Sequence, residues 1–496
     1  MGLFALAATF IAQRVFINTL GVDYLGVNGL FNSIISMLSI AELGLGSAIV
    51  YHLYKPIEDK DTTKINALMA FYRKGYHAIA AFVFAVGLIL LPFLSSIIGN
   101  SSVSVNLSIV YMLFIADAVF SYLLSYKRSM LYADQKNYII NATRVGSMLI
   151  LNALQIALLV ATKNYYLYLA IKIVMTLAEN LFLNSIVNRR YPFLNAGTDN
   201  NKLDKATKKD IFVKVKGLLY HKAGSFFILG TDSLVITTFL GISVVGIYSN
   251  YLLVLTAINS LFSQLSAAIT ASIGNLLLGN NNKKNFDVYE RINFASFWTS
   301  VLVTVGFFVA IDSFIKLWVG ERFVLPLGVL IALSLNLYLT LSRLSLHSFK
   351  TAAGIFHEDR FVPLIESAVN LVASIVLLNF FGLAGVFMGT ICSALVVLLY
   401  SYPKFVYTRI FGRKALQYYG EFTKHFLILC FVAAVTFALS RSIHVDGNVS
   451  QLIINLALCA IVPNVLLVVL FGKSKELSYY RQLIISALQN LKKINF

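Results

Sequence analysis

Leu20-Gly21-Val22-Asp23-Tyr24-Leu25-Gly26-Val27-Asn28 returns 220 residues later as Leu240-Gly241-Ile242-Ser243-Val244-Val245-Gly246-Ile247-Tyr248. Each copy lies between two long apolar runs. Its glycines allow a tight chain reversal, so each reads as the hairpin between the first and second helices of a repeated unit. A second echo pairs Asp134-Gln135-Lys136-Asn137-Tyr138 with His357-Glu358-Asp359-Arg360-Phe361 at an offset of 223 and precedes the fifth and eleventh apolar segments. Two echoes at nearly one spacing describe two related halves, an arrangement common among membrane transporters.

The segments around these hairpins are long enough to cross a bilayer, which takes about 20 apolar residues per helix. Fourteen fit: 1–20, 24–51, 66–98, 105–126, 139–162, 165–188, 213–239, 243–277, 292–311, 324–342, 361–379, 383–403, 425–440 and 451–471. The fold class is therefore an all-α polytopic membrane protein. Residues 1–188 and 213–408 form two six-helix lobes joined by a linker at 189–212, and 409–496 carry the last two transmembrane helices and a basic tail. Because six is even, both lobes enter from the same side, and the repeat axis runs along the membrane normal.

Composition agrees. Of 496 residues, 58% are hydrophobic and 12% charged, against roughly a quarter charged in soluble domains. That excludes a soluble enzyme. The formal charge of +18 comes from 40 Lys+Arg against 22 Asp+Glu, and its distribution explains it. Thirty of the basic residues follow even-numbered segments or lie in the tail, whereas the odd-numbered connectors hold only Lys163, Lys316, Arg322 and Arg441. Cytoplasmic connectors carry the positive excess, so both termini are cytoplasmic and no nucleic-acid partner is implied. Lys202 to Lys209 reads as a solvated or headgroup-facing segment, and Asp59-Lys60-Asp61 as a solvated loop. Cys392, Cys430 and Cys459 lack metal or redox spacing; no metal and no cofactor are indicated. The run from Gly2 to Ala12 has no basic start of a secretory signal and reads as the first span, with an extension before it not excluded.

Six basic residues fall inside spans, beyond the first turn: Arg14, Arg73, Lys74, Arg144, Lys172 and Lys222. Five belong to the first lobe. A charge at the bilayer centre costs about 2.5–3.5 kcal/mol, so such residues face a cavity or a partner. Counting inward from the outer helix ends puts Arg14 at roughly 9 Å, Lys172 at about 10 Å, Asp232 at about 12 Å, Asp117 at about 18 Å and Glu179 at about 21 Å. Arg144, Lys222 and Glu42 lie near the inner mouth, with Arg73 and Lys74 comparably placed. The cations are candidate substrate contacts, with snorkelling or local pairing as the alternative. Asp232, Asp117, Glu42 and Glu179 are candidates for a coupling ion, or for carboxylates held by a nearby base. Arg14 and Asp232 share a depth in opposite lobes and are expected to meet across a central cavity. Lys172 and Glu179, two turns apart, share one helix face.

Thr19-Leu20-Gly21-Val22-Asp23-Tyr24-Leu25-Gly26-Val27-Asn28-Gly29-Leu30-Phe31, continuing through Ala41-Glu42-Leu43-Gly44-Leu45-Gly46-Ser47-Ala48-Ile49, resembles bacterial polysaccharide flippases of the Wzx type. These belong to the multidrug/oligosaccharidyl-lipid/polysaccharide exporter superfamily. The resemblance implies a non-enzymatic carrier in the bacterial cytoplasmic membrane. It would move undecaprenyl-diphosphate-linked oligosaccharide repeat units from the inner to the outer leaflet by alternating access, for capsule, exopolysaccharide or similar glycan. It also implies a cationic cavity with Arg14 at the matching first-helix position, a coupling proton or sodium ion, and polysaccharide polymerase machinery as a partner. Gly44 and Gly46 would let the second helix bend. The rivals are a cation-coupled multidrug exporter and a lipid II flippase of the same superfamily. A drug exporter of cations favours an acidic or aromatic cavity, unlike the basic residues here.

The topology is testable by cysteine labelling in a variant whose three native cysteines are serine. A membrane-impermeant maleimide added to intact cells should label Lys163→Cys but should reach Asp59→Cys only after permeabilisation. The reverse pattern would invert the orientation.

Overall fold

A computed structural model describes residues 3–42, 45–99, 103–196, 203–279, 281–443, 445 and 447–494; among them there are helices and turns and no strand. The long helices fall where the apolar runs fall. In chain order they are α1 (Leu3–Leu20), α2 (Val22–Leu38), α3 (Leu45–Glu58), α4 (Thr62–Leu90), α5 (Leu107–Leu123), α6 (Asn137–Thr162) and α7 (Tyr165–Arg190). There follow α8 (Lys205–Leu240), α9 (Ile242–Leu277), α10 (Asn282–Trp318), α11 (Leu327–Ser342), α12 (Leu344–Ala352), α13 (Val362–Phe381) and α14 (Leu383–Val396). The last three are α15 (Ala415–Ser442), α16 (Asn448–Phe471) and α17 (Lys475–Ile494). Eleven helical segments are long and apolar enough to cross a membrane. Phe4–Leu20 is a shorter apolar helix.

The chain packs as two units. The first contains Met1–Leu252 with Pro363–Leu371, the second Leu253–Val362 with Val372–Phe496. Thus α8 and the start of α9 pack with the helices before them, whereas the repeat had assigned residues from 213 onward to the second lobe. The repeated hairpins are the physical reason. Gly21 and Gly241 both take positive φ, 101° and 93°, and reverse the chain in the same way. The two copies then pack on each other reciprocally. A Cβ on Gly26 would lie 2.1 Å from the Ile242 carbonyl oxygen, and one on Gly246 would lie 2.2 Å from that of Val22. Repeat-equivalent Asp23 and Ser243 are joined, the serine hydroxyl donating to the carboxylate. Further along, Ser33 Oγ donates to Ser233 Oγ at 2.9 Å, and Gly230 admits the Met37 side chain.

The second span differs from the single helix expected over 24–51. It is broken: α2 ends at Leu38, a 3₁₀ turn covers Ser39–Glu42 and α3 starts at Leu45. Gly44 lies outside the described residues. Tyr72 of α4 braces the restart, its hydroxyl reaching the carbonyls of Gly46 at 2.7 Å and Leu45 at 3.1 Å in the first turn of α3. The twelfth span also departs from a regular helix, since α14 runs on as a π-helix over Val397–Tyr407 that contains Pro403.

The turns of the second echo are each held by an aspartate. Asp134 accepts from Lys136 and from the Tyr191 hydroxyl. Burial raises the Asp134 carboxyl, but these donors and the Lys136 charge outweigh it and hold it below its ordinary range. Asp359, fully buried, pairs with Lys350 and accepts from Ser401 Oγ at 2.9 Å. The linker is partly helical: Phe193–Ala196 forms one turn, residues 197–202 lie outside the described residues, and Asp204 caps α8 by accepting from the Thr207 amide. In the second unit Phe286, Tyr289, Tyr407, Phe411 and Tyr418 form an aromatic core. The basic tail is the helix α17, anchored by Tyr480, which donates to the Arg291 carbonyl at 3.0 Å, and by Arg291 over the Tyr479 ring at 4.2 Å.

The hairpin contact has a direct consequence. Gly26→Ala and Gly246→Ala should each lower stability by about 1–3 kcal/mol, the usual cost of overpacking, whereas Gly146→Ala, with open space at its Cβ, should be near neutral. Melting of the purified protein in detergent measures all three.

Candidate functional site

In the first unit, two of the carboxylates inside the spans are matched by bases. Lys172 of α7 reaches Asp117 of α5, Nζ to Oδ2 3.1 Å, and Thr176 Oγ1 donates to the other carboxylate oxygen at 2.6 Å. One turn and more along α7, Glu179 meets Arg128, Nη2 to Oε1 3.0 Å. The same guanidinium also donates to the Asn180 side-chain oxygen. The seven-residue spacing of Lys172 and Glu179 does place both on one helix face. That face, however, looks onto opposite charges on α5 and just beyond its end. Lys172 also lies over the Phe114 ring at 5.1 Å.

Lys172, expected as a substrate contact, is therefore an interhelical partner in this structure. Asp117 and Glu179, expected as ion-coupling groups, each hold a base. Arg128 was missed because it follows an apolar run and counts as a connector cation. The signal was its spacing: it lies eleven residues after Asp117, three helical turns further along the same stretch. Glu42 accepts from the Tyr76 hydroxyl at 2.8 Å, and Tyr122 donates to Ser39 at 2.8 Å. These bonds tie the 3₁₀ turn of the broken second span to α4 and α5.

The remaining cations behave differently. Arg14 on α1, Lys74 on α4 and Arg144 on α6 are exposed, and among the described residues they form no ion pair. Arg73 is half-buried and close enough to Lys127 to repel it. The Lys222 side chain lies outside the described residues. Asp232 sits on α8 within electrostatic range of buried Tyr248, beside Thr231, whose hydroxyl lies 3.3 Å from Asn370 Oδ1. No ion pair joins Arg14 to Asp232 among the described residues.

The second unit contains a cavity of about 640 Å³ beside α9, α11 and α12. Ser263, Ser266 and Thr270 line one side, and Arg343, His347 and Tyr402 another. Arg343 Nε donates to the Leu339 carbonyl at 3.1 Å, and Ser266 and Ser348 are hydrogen-bonded at 3.1 Å. The second half of the chain is thus less poor in cavity cations than its sequence suggests. Arg343 had been placed in a connector because the tenth segment was closed at the first charge. The apolar residues Leu344, Leu346 and Phe349 beyond it carry the information that the helix continues. The described residues include no cluster of three or more metal-ligating side chains.

No family model matches the chain, and no curated protein matches it. Solved structures do. An inward-facing multidrug resistance MATE family transporter of the MOP superfamily is 14% identical with a TM-score of 0.62, over 80% of this chain and 92% of that one. Lipid II flippase MurJ in an inward closed conformation is 14% identical with a TM-score of 0.61, over 95% of this chain and 99% of that one. A mutant of the Vibrio cholerae MATE transporter VcmN is 14% identical at a TM-score of 0.50, over 79% and 91%. The chain shares the fold of these structures. That fold includes the two helices beyond the repeats, since the match to MurJ takes in nearly the whole chain.

The Asp117–Lys172 pair is half-buried, with side chains 16% and 30% exposed. Lys172→Met should destabilise by roughly 1–3 kcal/mol, between the values of surface and buried pairs, because it strands the carboxylate. Adding Asp117→Asn should restore part of the loss. A double-mutant melting series in detergent checks this, and a double variant as unstable as the sum of the single ones would refute the coupling.

Proposed function

We propose that the protein is a flippase that carries lipid-linked, diphosphate-bearing oligosaccharides from the inner to the outer leaflet of the bacterial cytoplasmic membrane by alternating access. What supports this is the charge left over inside the spans. Asp117 and Glu179 are met by Lys172 and Arg128, whereas Arg14, Lys74 and Arg144 are exposed and form no ion pair among the described residues. The surplus is basic. A basic surplus at membrane depth suits an anionic substrate and disfavours the cationic drugs of the rival reading.

A diphosphate offers several acceptor oxygens and about two negative charges. Arg14 and Arg144 would engage it through forked donors, and Lys74 as a point charge. With the cytoplasm negative, outward movement of each negative charge is favoured by about 2.3 kcal/mol per 100 mV. The glycan is polar and needs hydroxyl, amide and water partners, which a lining such as that of Ser263, Ser266 and Thr270 provides. The prenyl tail remains in lipid. A coupling proton or sodium ion would be taken by a carboxylate without a strong base beside it. Glu42, which accepts a hydrogen bond from the Tyr76 hydroxyl, fits that description better than Asp117 or Glu179. Lipid II is the near alternative to an oligosaccharide repeat unit, because the similarity to the lipid II flippase covers more of the chain than that to the drug exporters.

Proteoliposomes with a fluorescent undecaprenyl-diphosphate oligosaccharide test the reading. Arg14→Gln/Arg144→Gln should slow flipping about tenfold or more, the effect of losing one charge-assisted hydrogen bond. Unchanged flipping would remove these residues from the pathway. Efflux of small organic cations without flipping would favour the drug-exporter reading.

A further inference from the structure

A second cavity lies in the second unit, at the ends of α10 and α15 and the start of α16, closed by the segment around Val324 and Leu325. Its volume is about 420 Å³, within the range of small-molecule sites. The connector charges place these helix ends on the outside of the membrane. That side is poor in cations: only Lys163, Lys316, Arg322 and Arg441 fall in its connectors. Two of the four, Lys316 and Arg441, line this one cavity. The rule that depletes outer connectors of basic residues makes such a convergence unexpected unless the charges are used.

The cavity also contains polar side chains fixed in place by one another. Asn455 accepts from Ser440 Oγ at 2.8 Å and from Gln451 Nε2 at 3.2 Å, and donates to Ser313 Oγ at 2.9 Å. Gln451 is held in turn, its carbonyl oxygen accepting from the Val445 amide at 3.0 Å. The Arg441 guanidinium lies over the Phe437 ring at 5.1 Å, which orients it beside an apolar face. Lys316 meets the well-exposed Glu321 at 2.8 Å, a solvated pair that an incoming anion can displace at little cost. Asp312 adds one acceptor.

Charged donors, fixed amides and hydroxyls, and one aromatic face together match the chemistry of a sugar that carries a negative charge. We infer that this outer cavity is a binding site for an anionic saccharide, a sugar phosphate or a uronic acid. The site rests on the same topology as the proposed flippase but not on flipping itself. Its ligand has two sources, the head group of a lipid-linked oligosaccharide after it reaches the outer leaflet, or an acidic glycan already outside.

The full-length protein in detergent is titrated by calorimetry with glucose 1-phosphate, glucuronic acid, glucose and inorganic phosphate. Both anionic sugars should bind saturably and about tenfold or more tighter than glucose, and Lys316→Gln/Arg441→Gln should remove that preference. Gln451→Ala should weaken both sugars but not phosphate. Absence of saturable binding, or binding of phosphate equal to that of the sugar phosphate, overturns the inference. Should the double variant lose its fold, the reversed-charge variant Arg441→Glu supplies the same comparison, since the inference requires it to bind anionic sugars no better than glucose. Competition by a detergent-solubilised lipid-linked oligosaccharide identifies the first source, and competition by the delipidated acidic glycan alone identifies the second. Either satisfies the inference. Flipping is measured separately in proteoliposomes, so loss of the flippase reading leaves the binding result intact.

Discussion

Backbone meets backbone at Gly26 and Gly246, and much of the first unit is arranged around that approach. With a carbonyl oxygen 2.1 and 2.2 Å from where a Cβ would stand, no other residue fits either position without a shift. Helix association in lipid has no hydrophobic drive between apolar surfaces, so close packing and polar contacts carry it. The reciprocal hairpins provide both, through the glycines and the Asp23–Ser243 bond. The device recurs in the second unit, where Gly385 and Gly389 come against the backbone at Leu377 and Ser374. Here the close approach is between consecutive helices, α13 and α14.

The hairpins were legible because glycine at a turn and glycine at a contact leave the same mark at both ends of the repeat. So were the helix positions. Apolar length is demanded by bilayer thickness, and the described parts of the fourteen expected segments lie largely in helices, eleven of them long and apolar enough to cross a membrane, although the second is broken and the twelfth turns π-helical. The break at Leu38 was less legible. Gly44 and Gly46 pointed to a bend, but the partner that braces the first turn of α3, Tyr72, lies 26 residues from Gly46, and no local pattern marks it. The grouping of α8 with the first unit was also beyond reach, because it depends on which faces the repeats present to each other.

The site was legible in kind but not in pairing. Six intramembrane cations and four carboxylates could be listed from the chain, yet which cation answers which carboxylate is a matter of interhelical distance. Lys172 illustrates the gap. Its depth suggested a substrate contact, and in the structure it is paired with Asp117. Arg128 and Arg343 show the opposite error, since a rule that ends a span at its first charge moves arginines that pair with a carboxylate or line a cavity into loops. Both helical runs in fact continue past the charge.

The pairing changes what the charges mean. A carboxylate with its base is nearly neutral at a distance and serves packing and register, so Asp117–Lys172 and Glu179–Arg128 add little field to their surroundings. Exposed cations at membrane depth act otherwise. Each would cost about 2.5–3.5 kcal/mol in lipid, and that cost falls sharply wherever water reaches the charge. Arg14, Lys74 and Arg144 are therefore consistent with a water-lined path, where a hydrated cation is stable and still able to exchange its water for a phosphate oxygen. A diphosphate entering such a path replaces solvent with charge-assisted bonds, whereas a cationic drug would meet uncompensated repulsion. On the proposed function, the sign of the leftover charge, rather than the number of charged residues, is what would discriminate between substrates on one shared fold.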